Sequence, residues 1–381
     1  MKYLYVFIGL ILIVSCNSSD LKNNEEEQDD ITPPDPIATF YKGMDLSFQS
    51  ELETYNINYR DETGTVVDLL DFVEDNGTNL VRLKLWHTPQ NGQNSLTDVK
   101  AYAQRVKSKN MAFLLDIHYS DFWADPGTQT PPSAWQNMTD IEIRTAVYTY
   151  TKDVITQLKN QNTLPEIIQI GNETDSGFLW NYGKVWDAFS DNWSNYAALV
   201  GEAIRAIKDV DTQDEVQIML HHSNVENAIY FFTELEPFSL DFDMIGLSYY
   251  PQFQTKNLNL VASKVNELAT TFEKDIFMVE VAYPFTLDWN DNQNNFIGNI
   301  NQTIPEFTPS PEGQKAYMEW LINMIKTIPE DRGKGFCYWA PDWIAFSGNE
   351  STSTNGSAWE NQCLFDFNNK ALPAFDAFRI N

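Results

Sequence analysis

The sequence predicts a single-domain α/β protein of the TIM (β/α)8 barrel class. Short runs rich in β-forming residues alternate with segments of helical period, as in the repeated strand–helix units of a parallel sheet. Several of these runs are apolar at consecutive positions, which is typical of strands whose two faces are both covered. No Gly-x-Gly-x-x-Gly turn follows the first run, so the main signal of a dinucleotide-binding sheet is missing. A closed barrel therefore fits better than an open doubly wound sheet.

The predicted elements follow one another along residues 39–381. The strands span residues 41–47, 80–86, 112–118, 167–171, 216–221, 244–249, 276–281 and 335–339. Helical periodicity covers residues 66–75, 98–107, 141–159, 193–208, 261–272 and 313–328. Polar or aromatic residues stand near the end of each predicted strand. In barrels of this class the carboxyl ends of the strands carry the chemistry, so these residues are candidates for a site.

The first 38 residues are predicted to lie outside the barrel. Residues 1–15 fit a signal peptide, because Lys2 precedes a short apolar run. The break Ile13-Val14-Ser15-Cys16 resembles the lipobox of bacterial lipoproteins, which implies that Cys16 is acylated and tethers the chain to a membrane. The alternative is a plain signal peptide with an incidental cysteine. Residues 16–38 are polar and acidic, which predicts a disordered spacer.

An acidic patch at residues 25–30 resembles the surface-export signal of gut Bacteroidetes lipoproteins. We therefore expect an exported protein, lipid-anchored to the outer membrane and displayed on the cell surface of a Bacteroidetes-like bacterium. The periplasmic face of that membrane is the alternative. With Cys16 set aside, Cys337 and Cys363 remain, and they could either form a disulfide or stay as buried free thiols.

The composition argues against polyanionic partners. The formal net charge is −29, with 54 Asp and Glu residues against 25 Lys and Arg. Nucleic acid binding requires Lys and Arg to neutralise phosphates, and no basic run supplies them. A neutral substrate and a monomeric protein are expected. Aromatic residues make up 14% of the chain, including 11 Trp, and they suit a groove that stacks on sugar rings.

Two glutamates stand at the ends of predicted strands. Glu173 follows the apolar run at residues 167–170, and Glu280 lies inside the run at residues 278–281. A glutamate within a buried strand is costly unless it is paired or functional. Hydrolysis of a glycoside needs one protonated carboxylic acid and one ionised carboxylate, so Glu173 and Glu280 are the candidate catalytic pair.

The motifs around these glutamates resemble glycoside hydrolase family 53, the endo-β-1,4-galactanases of clan A. The resembling stretches are GMD at 43–45, VRLKLW at 81–86, LLDIHYSD at 114–121, WADPG at 123–127, QIGNE at 169–173, IGLSYYP at 245–251, EVAYP at 280–284 and WENQ at 359–362. They run in family order across nearly all of the chain after the spacer. The stretch from His118 to Gly127 and the ordered set together are highly specific.

The resemblance implies endo-hydrolysis of β-1,4-galactosidic bonds in the (arabino)galactan side chains of pectin, with a retaining double displacement and no cofactor in the chemistry. Glu173 is then the acid/base and Glu280 the nucleophile. Asn172 would bind the 2-hydroxyl of the sugar being cleaved, and Arg82 would keep Glu280 ionised. The further substrate-binding candidates are Asp45, Trp86, His118, Ser120, Asp121, His221, Tyr249, Trp339 and Trp343, with Trp123 and Trp180 as additional stacking platforms.

The sequence departs from the family pattern in places. Ala340 follows Trp339 where glutamate is common, Val281 follows the predicted nucleophile where threonine is common, and residues 221–224 are HHSN rather than HLDN. Some family members hold a calcium ion between the loops after strands seven and eight. Asp288, Asp291, Asn292 and Asn294 offer oxygen ligands there, but the Asp-x-Asp-x-His run of calcium-binding relatives is missing. A solvated loop is favoured over a structural Ca2+, and no metal is predicted.

Two other functions remain open at this point. The first is another clan A β-glycanase, such as a mannanase or a cellulase, which would share the two glutamates. The second is a non-catalytic, lipid-anchored glycan-binding protein at the cell surface. The HYSDFWADPG stretch disfavours the first, and the presence of both carboxylates disfavours the second.

Overall fold

The computed structural model describes residues 40–186, 192–346 and 356–380, which form a closed barrel of eight parallel strands. The strands are β1 (Tyr41–Asp45), β2 (Leu80–Leu85), β3 (Ala112–Ile117), β4 (Ile167–Ile170), β5 (Gln217–His222), β6 (Met244–Tyr249), β7 (Asp275–Val281) and β8 (Gly333–Trp339). Each strand pairs in parallel with the next along the chain, and β8 pairs with β1. The predicted fold class is confirmed. The predicted signal peptide, Cys16 and the predicted spacer lie outside the described residues.

Helices alternate with the strands along the chain, and the last helix follows β8. They are α1 (Leu69–Asp75), α2 (Leu96–Ser108), α3 (Asp140–Asn160), α4 (Trp193–Val210), α5 (Ala228–Leu235), α6 (Leu258–Phe272), α7 (Pro311–Lys326) and α8 (Phe375–Phe378), with a short helix at Gln49–Glu53 after β1. Two small hairpins pair Tyr59–Arg60 with Val66–Val67 and Gly177–Phe178 with Gly183–Lys184. Among the described residues, no helix is long and apolar enough to span a membrane.

Two helix predictions need correction. The helix predicted from residue 66 begins only at Leu69, because Val66–Val67 form a hairpin strand, and β-branched residues favour strands. The side chain of Asp68 then caps α1 by accepting a hydrogen bond from the N–H of Asp71. Helix α5 is missing from the sequence prediction, because Ala228–Leu235 is short and mostly apolar, and such a run is ambiguous between helix and strand.

The barrel interior is apolar at one end and polar at the other. Strand β2 shows the transition, since Leu80 belongs to a small apolar cluster inside the barrel, whereas Arg82 and Lys84, farther along the strand, line a cleft. The alternate residues Val81, Leu83 and Leu85 belong to the main core between strands and helices. Side chains on a strand alternate between its faces, so this pattern places the polar groups inside, at the carboxyl end of the strands.

The two remaining cysteines are separate, buried free thiols. Cys337 lies on β8 within the apolar cluster inside the barrel, whereas Cys363 belongs to the main core. The sequence left open whether Cys337 and Cys363 form a disulfide or stay as free thiols, and the structure shows free thiols.

Candidate active site

A cleft of about 700 Å³ opens at the carboxyl ends of the strands. Both Glu173 and Glu280 line it. The other predicted site residues that line it are Arg82, His118, Trp123, Asn172, Trp339 and Trp343. The topology therefore brings eight of the predicted side chains to one cavity, which is the usual place for a site in this class of barrel.

Glu280 is held from two sides by hydrogen-bond donors. Its Oε1 lies 2.8 Å from the guanidinium of Arg82, and its Oε2 accepts a hydrogen bond of 2.9 Å from the hydroxyl of Tyr250. Only 5% of the residue is exposed. Burial raises the pKa of Glu280 to about 7, and Arg82 and Tyr250 both act against that increase.

Arg82 lies at the centre of a buried polar network. Its guanidinium contacts the carboxylates of Asp45, Asp116 and Glu280, each at 2.8 Å. It also donates to the side-chain oxygens of Asn172 and Gln169. Burial opposes the positive charge, but the three carboxylates hold the pKa of Arg82 well above its ordinary value. The network fixes one face of Glu280 and aligns Asn172 beside it.

Glu173 sits on an irregular turn just beyond β4. Gly171 and Glu173 both have positive φ angles, of 73° and 45°, and the left-handed region is uncommon for a glutamate. The side-chain amide of Gln129 fixes this turn by donating to the backbone oxygens of Asn172 and Glu173, at 2.8 and 3.2 Å. Strained backbone of this kind persists where the surroundings over-determine it, and it often marks functional positions.

Two neutral groups orient the carboxyl of Glu173. The backbone N–H of Glu173 donates to Nδ1 of His221 at 3.3 Å, so Nδ1 is an acceptor and Nε2 carries the hydrogen. Nε2 lies 2.9 Å from Oγ of Ser248, and the Ser248 hydroxyl donates to Oε1 of Glu173 at 2.7 Å. Burial and the nearby Arg82 charge lower the pKa of His221 well below its ordinary value, which keeps the ring neutral.

The pKa of Glu173 is raised well above its ordinary value. Burial is the main cause, and the charges of Glu280 and Asp175 add to it. The hydrogen bond from Ser248 and the charge of Arg82 act in the opposite direction but do not outweigh burial. Of the two glutamates, Glu280 has the ion pair, so it ionises first and leaves Glu173 protonated.

Aromatic rings form much of the cleft wall. Trp339 and Trp359 meet edge to face at 4.7 Å, and Trp343 stacks on Phe48 with a centroid distance of 4.1 Å. Trp123 lies 6.1 Å from Trp339 across the wall. Two more rings, the exposed Phe253 and Phe296, also line the cleft. Such flat apolar surfaces suit the C–H faces of sugar rings.

Several predicted substrate-binding residues do not line the cleft. Asp45 pairs with Arg82, and His221 supports Glu173 from behind. The indole of Trp86 donates to Nδ1 of His118 at 3.3 Å, and His118 in turn lies 3.0 Å from Asp116. These side chains support the groups that face the cleft.

Three more predicted residues, Ser120, Asp121 and Trp180, form hydrogen bonds within the protein instead of lining the cleft. Ser120 is buried and accepts from the N–H of Phe122, whereas the carboxylate of Asp121 accepts from the N–H groups of Thr88 and Ser133. Trp180, named as a stacking platform, donates its indole N–H to a backbone oxygen and lies away from the cleft.

Tyr249 is a correction to the prediction, because its side chain points outward. Its hydroxyl donates to the backbone oxygen of Thr255, and its ring packs against Trp320 of α7. The next residue, Tyr250, contacts Glu280 instead. The physical reason is the alternation of side chains along β6, which places Ser248 and Tyr250 inside and Tyr249 outside.

The loop considered for calcium forms contacts of its own. The carboxylate of Asp291 accepts hydrogen bonds from the N–H groups of Gln293 and Ser357, at 2.6 and 2.9 Å, and the Asp291 N–H donates to Glu360. Nowhere in the described part of the chain do three or more His, Cys, Asp or Glu residues converge as a metal would need. The preference for a solvated loop over a structural calcium near Asp288 and Asp291 stays an untested prediction.

The barrel and its site together define a class. A half-buried glutamate, Glu173, and a buried one, Glu280, have different supporting groups and face an aromatic-walled cleft at the ends of β4 and β7. This arrangement is that of a barrel glycoside hydrolase, in which one protonated carboxyl group acts as an acid and the other acts as an ionised carboxylate.

The comparisons with known proteins name the family. The model of glycosyl hydrolase family 53 matches residues 41–378, and the chain belongs to this family. It is 38% identical to an arabinogalactan endo-β-1,4-galactanase from Cellvibrio japonicus, over 90% of this chain and 91% of that one. It is 31% identical to a galactanase of the same name from Thermothelomyces thermophilus, over 90% and 99%.

Solved structures agree with this assignment. The family 53 catalytic domain from Ignisphaera aggregans superposes with a TM-score of 0.83 at 34% identity, covering 91% of this chain and 97% of that one. A fungal β-1,4-galactanase superposes with a TM-score of 0.77 at 28% identity, covering 90% and 100%. The expected single-domain barrel of this family is confirmed.

Proposed function

We propose that this protein is an endo-β-1,4-galactanase that cleaves (arabino)galactan with retention of configuration. The observation that carries the proposal is the pair Glu173 and Glu280, which face one cleft with different supporting groups. The two galactanases named above share this family and about a third of their residues with the chain. The net charge of −29 also favours a neutral polymer over an acidic one.

Glu280 is the proposed nucleophile. Its Oε1 is fixed by Arg82 and its Oε2 by Tyr250, so the carboxylate is ionised and held in one orientation. In the first step one of these oxygens forms a bond to the anomeric carbon of the sugar, and the bond to the leaving oxygen breaks. We expect Asn172, which accepts a hydrogen bond from Arg82 and lines the cleft, to contact the 2-hydroxyl of that sugar.

Glu173 is the proposed acid/base. Ser248 donates to its Oε1, so the acidic proton is carried by Oε2. That proton passes to the leaving oxygen in the first step. In the second step the ionised Glu173 takes a proton from water, and the water oxygen displaces Glu280 from the anomeric carbon. The hydrogen bond from Ser248 stabilises the ionised form that the second step requires.

Digestion of linear β-1,4-galactan tests this function. Protein lacking residues 1–38 should release oligosaccharides of several lengths early in the reaction, as an endo-acting enzyme does. Proton NMR should show the β-anomer first, because two displacements restore the starting configuration. Good activity on mannan or cellulose with none on galactan would refute the substrate, and an α-anomer formed first would refute the role of Glu280.

We also propose that the chain is an exported lipoprotein attached to a membrane through Cys16. The support is the sequence Ile13-Val14-Ser15-Cys16 after a short apolar run, followed by the acidic spacer. In a Bacteroidetes host, Cys16→Ala should move the enzyme from the membrane fraction to the soluble fraction. Protease treatment of whole cells would separate surface display from a periplasmic location. Unchanged membrane association of Cys16→Ala would refute the anchor.

A further inference from the structure

Lys84 is a buried cation without a polar partner in the cleft wall. Only 2% of this residue is exposed, yet its ammonium group donates no hydrogen bond and forms no ion pair with any residue that the structure describes. Three aromatic rings contact the ammonium, with Nζ 4.1 Å from the ring centre of Phe48, 4.3 Å from that of Trp123 and 5.3 Å from that of Trp86. Burial lowers the pKa of Lys84 to about 8, and the charges of Asp45 and Glu51 act against that decrease.

The fold alone does not account for this residue. Contact with aromatic faces offsets only part of the free energy that an ammonium loses when it leaves water. The charges of Asp45 and Glu51 favour the ammonium, but no described residue forms an ion pair or a hydrogen bond with it. The same strand shows the contrast, since Arg82, two residues earlier, contacts three carboxylates. A side chain that only filled space would serve stability better as methionine or leucine.

The position of Lys84 suggests what it binds. It lines the cleft together with Trp123, Trp339 and Trp343. An ammonium offers three N–H donors, and a sugar presents hydroxyl oxygens as acceptors around its edge. The neighbouring rings offer flat surfaces to the C–H face of the same sugar. Ligand sites commonly combine an apolar wall with a few polar groups that fix orientation.

The neighbours of Lys84 also indicate the side of the scissile bond. Lys84 follows Arg82 on β2, and Arg82 holds the proposed nucleophile. The groups that orient the proposed acid, His221 and Ser248, come from β5 and β6 instead. The leaving sugar is protonated by Glu173 and departs on that side, so the wall at β2 faces the sugars that stay on the enzyme.

We propose that Lys84, with the rings of Trp123 and Trp339, forms a donor-side subsite that binds a galactosyl residue through hydrogen bonds to its hydroxyl oxygens. This proposal rests on the proposed galactanase function. The ammonium faces the cleft without a hydrogen bond to any described residue, so its N–H donors are available to a bound sugar. Lys84 is therefore a specificity-determining residue rather than part of the core.

Two measurements on Lys84→Met test this subsite. Methionine keeps the length and the aromatic contacts but removes the charge, so the Tm of the variant should stay equal to that of the wild type or rise. The kcat/KM on an aryl β-galactotrioside should fall about 10–100-fold, as expected for hydrogen bonds from a charged donor. On an aryl β-galactoside, which has a single sugar, the loss should be much smaller. Lys84→Arg should recover part of the activity.

The exposed Lys370, which does not line the cleft, provides a matched control: Lys370→Met should change neither the Tm nor kcat/KM. A lower Tm of Lys84→Met with an equal loss on both substrates would show a structural role and overturn the proposal. An intact rate on the aryl trioside with a loss on polymer alone would place Lys84 on the leaving-group side and overturn it as well. If the wild type cleaved another β-glycan instead, the galactanase function would fail, and aryl oligosaccharides of that glycan would decide the role of Lys84.

Discussion

Glu173 and Glu280 are the same residue type in the same cleft, but their surroundings differ in charge. Glu280 lies within β7 and receives a cationic donor from Arg82 and a phenolic donor from Tyr250. Glu173 lies on a turn with positive φ and receives one neutral hydroxyl from Ser248. Burial raises the pKa of both, but only Glu280 has an ion pair to oppose it. The difference shows how neighbouring residues can assign opposite tasks to two identical side chains.

The largest expected effect belongs to Glu280→Ala. Without this carboxylate no covalent glycosyl-enzyme can form, so turnover should be lost on polymer and on aryl glycosides alike. The measurement is kcat/KM on galactan and on an aryl β-galactobioside, with circular dichroism as the control for folding. Substantial residual activity on either substrate would assign the nucleophile to another residue.

Glu173→Ala should reduce activity on polymer much more than activity on an aryl galactobioside, whereas Glu280→Ala should abolish both. On polymer the leaving sugar needs a proton, so the loss should be on the order of 10²–10⁴-fold. An aryl galactobioside with a good leaving group needs little protonation, and its first step should be much less affected. Azide should restore turnover by attacking the glycosyl-enzyme without a base, giving a β-glycosyl azide. Equal losses on both substrates would argue against Glu173 as the acid/base.

The positions of Glu173 and Glu280 and part of their surroundings can be predicted from the sequence. Both glutamates follow or interrupt apolar strands, and family motifs surround them, so the sequence indicates their positions and their strands. It also predicts part of the charge around them, since the resemblance implies Arg82 beside Glu280. Ser248 is not predicted to act, because a serine within a strand carries no signal of its own. Its contact with Glu173 depends on how β6 and the turn after β4 approach each other in space.

For Tyr249, the alternation of side chains along β6 predicts the direction of the side chain correctly, whereas the family motif does not. Ile245 and Leu247 face the outer core, and Tyr249 continues their period of two. The inner series includes Ser248 and Tyr250, which makes Tyr250 the residue that faces the cleft. By the same pattern Lys84 shares the inner face with Arg82. The missing hydrogen-bond partner of Lys84 cannot be predicted, because it depends on residues from other strands.

Tyr250→Phe should move the acid limb of the pH profile. The Tyr250 hydroxyl lowers the pKa of Glu280, which burial raises to about 7. Removing this hydroxyl raises that pKa further, and Glu280 must be ionised to attack. Activity is lost as pH falls through this pKa, so the acid limb of kcat/KM should shift to higher pH. At about pH 6 the loss should be about 10-fold or more, from the hydrogen bond to a charged group. An unchanged limb would show that Tyr250 does not act on Glu280.

Ser248→Ala should have the smallest effect on activity, and it should change the alkaline limb of the pH profile instead of the acid limb. The Ser248 hydroxyl donates to Oε1 of Glu173 and favours its ionised form, so its removal raises the pKa of Glu173. The first step needs protonated Glu173, and activity is lost as pH rises through its pKa. The alkaline limb of kcat/KM should therefore shift to higher pH, whereas the acid limb, set by Glu280, should stay in place.

The second step needs ionised Glu173, so the same change should slow it. With a good aryl leaving group, where the second step limits turnover, kcat of Ser248→Ala should fall a few-fold while KM falls with it, because the glycosyl-enzyme accumulates. Ser248→Thr keeps a hydroxyl at the same position and should restore both the limb and the rate. A purely structural role for Ser248 would instead lower the rate without moving the alkaline limb. A shift of the acid limb would mean that Ser248 acts on Glu280. The assignment of different supporting groups to the two carboxylates would then be wrong.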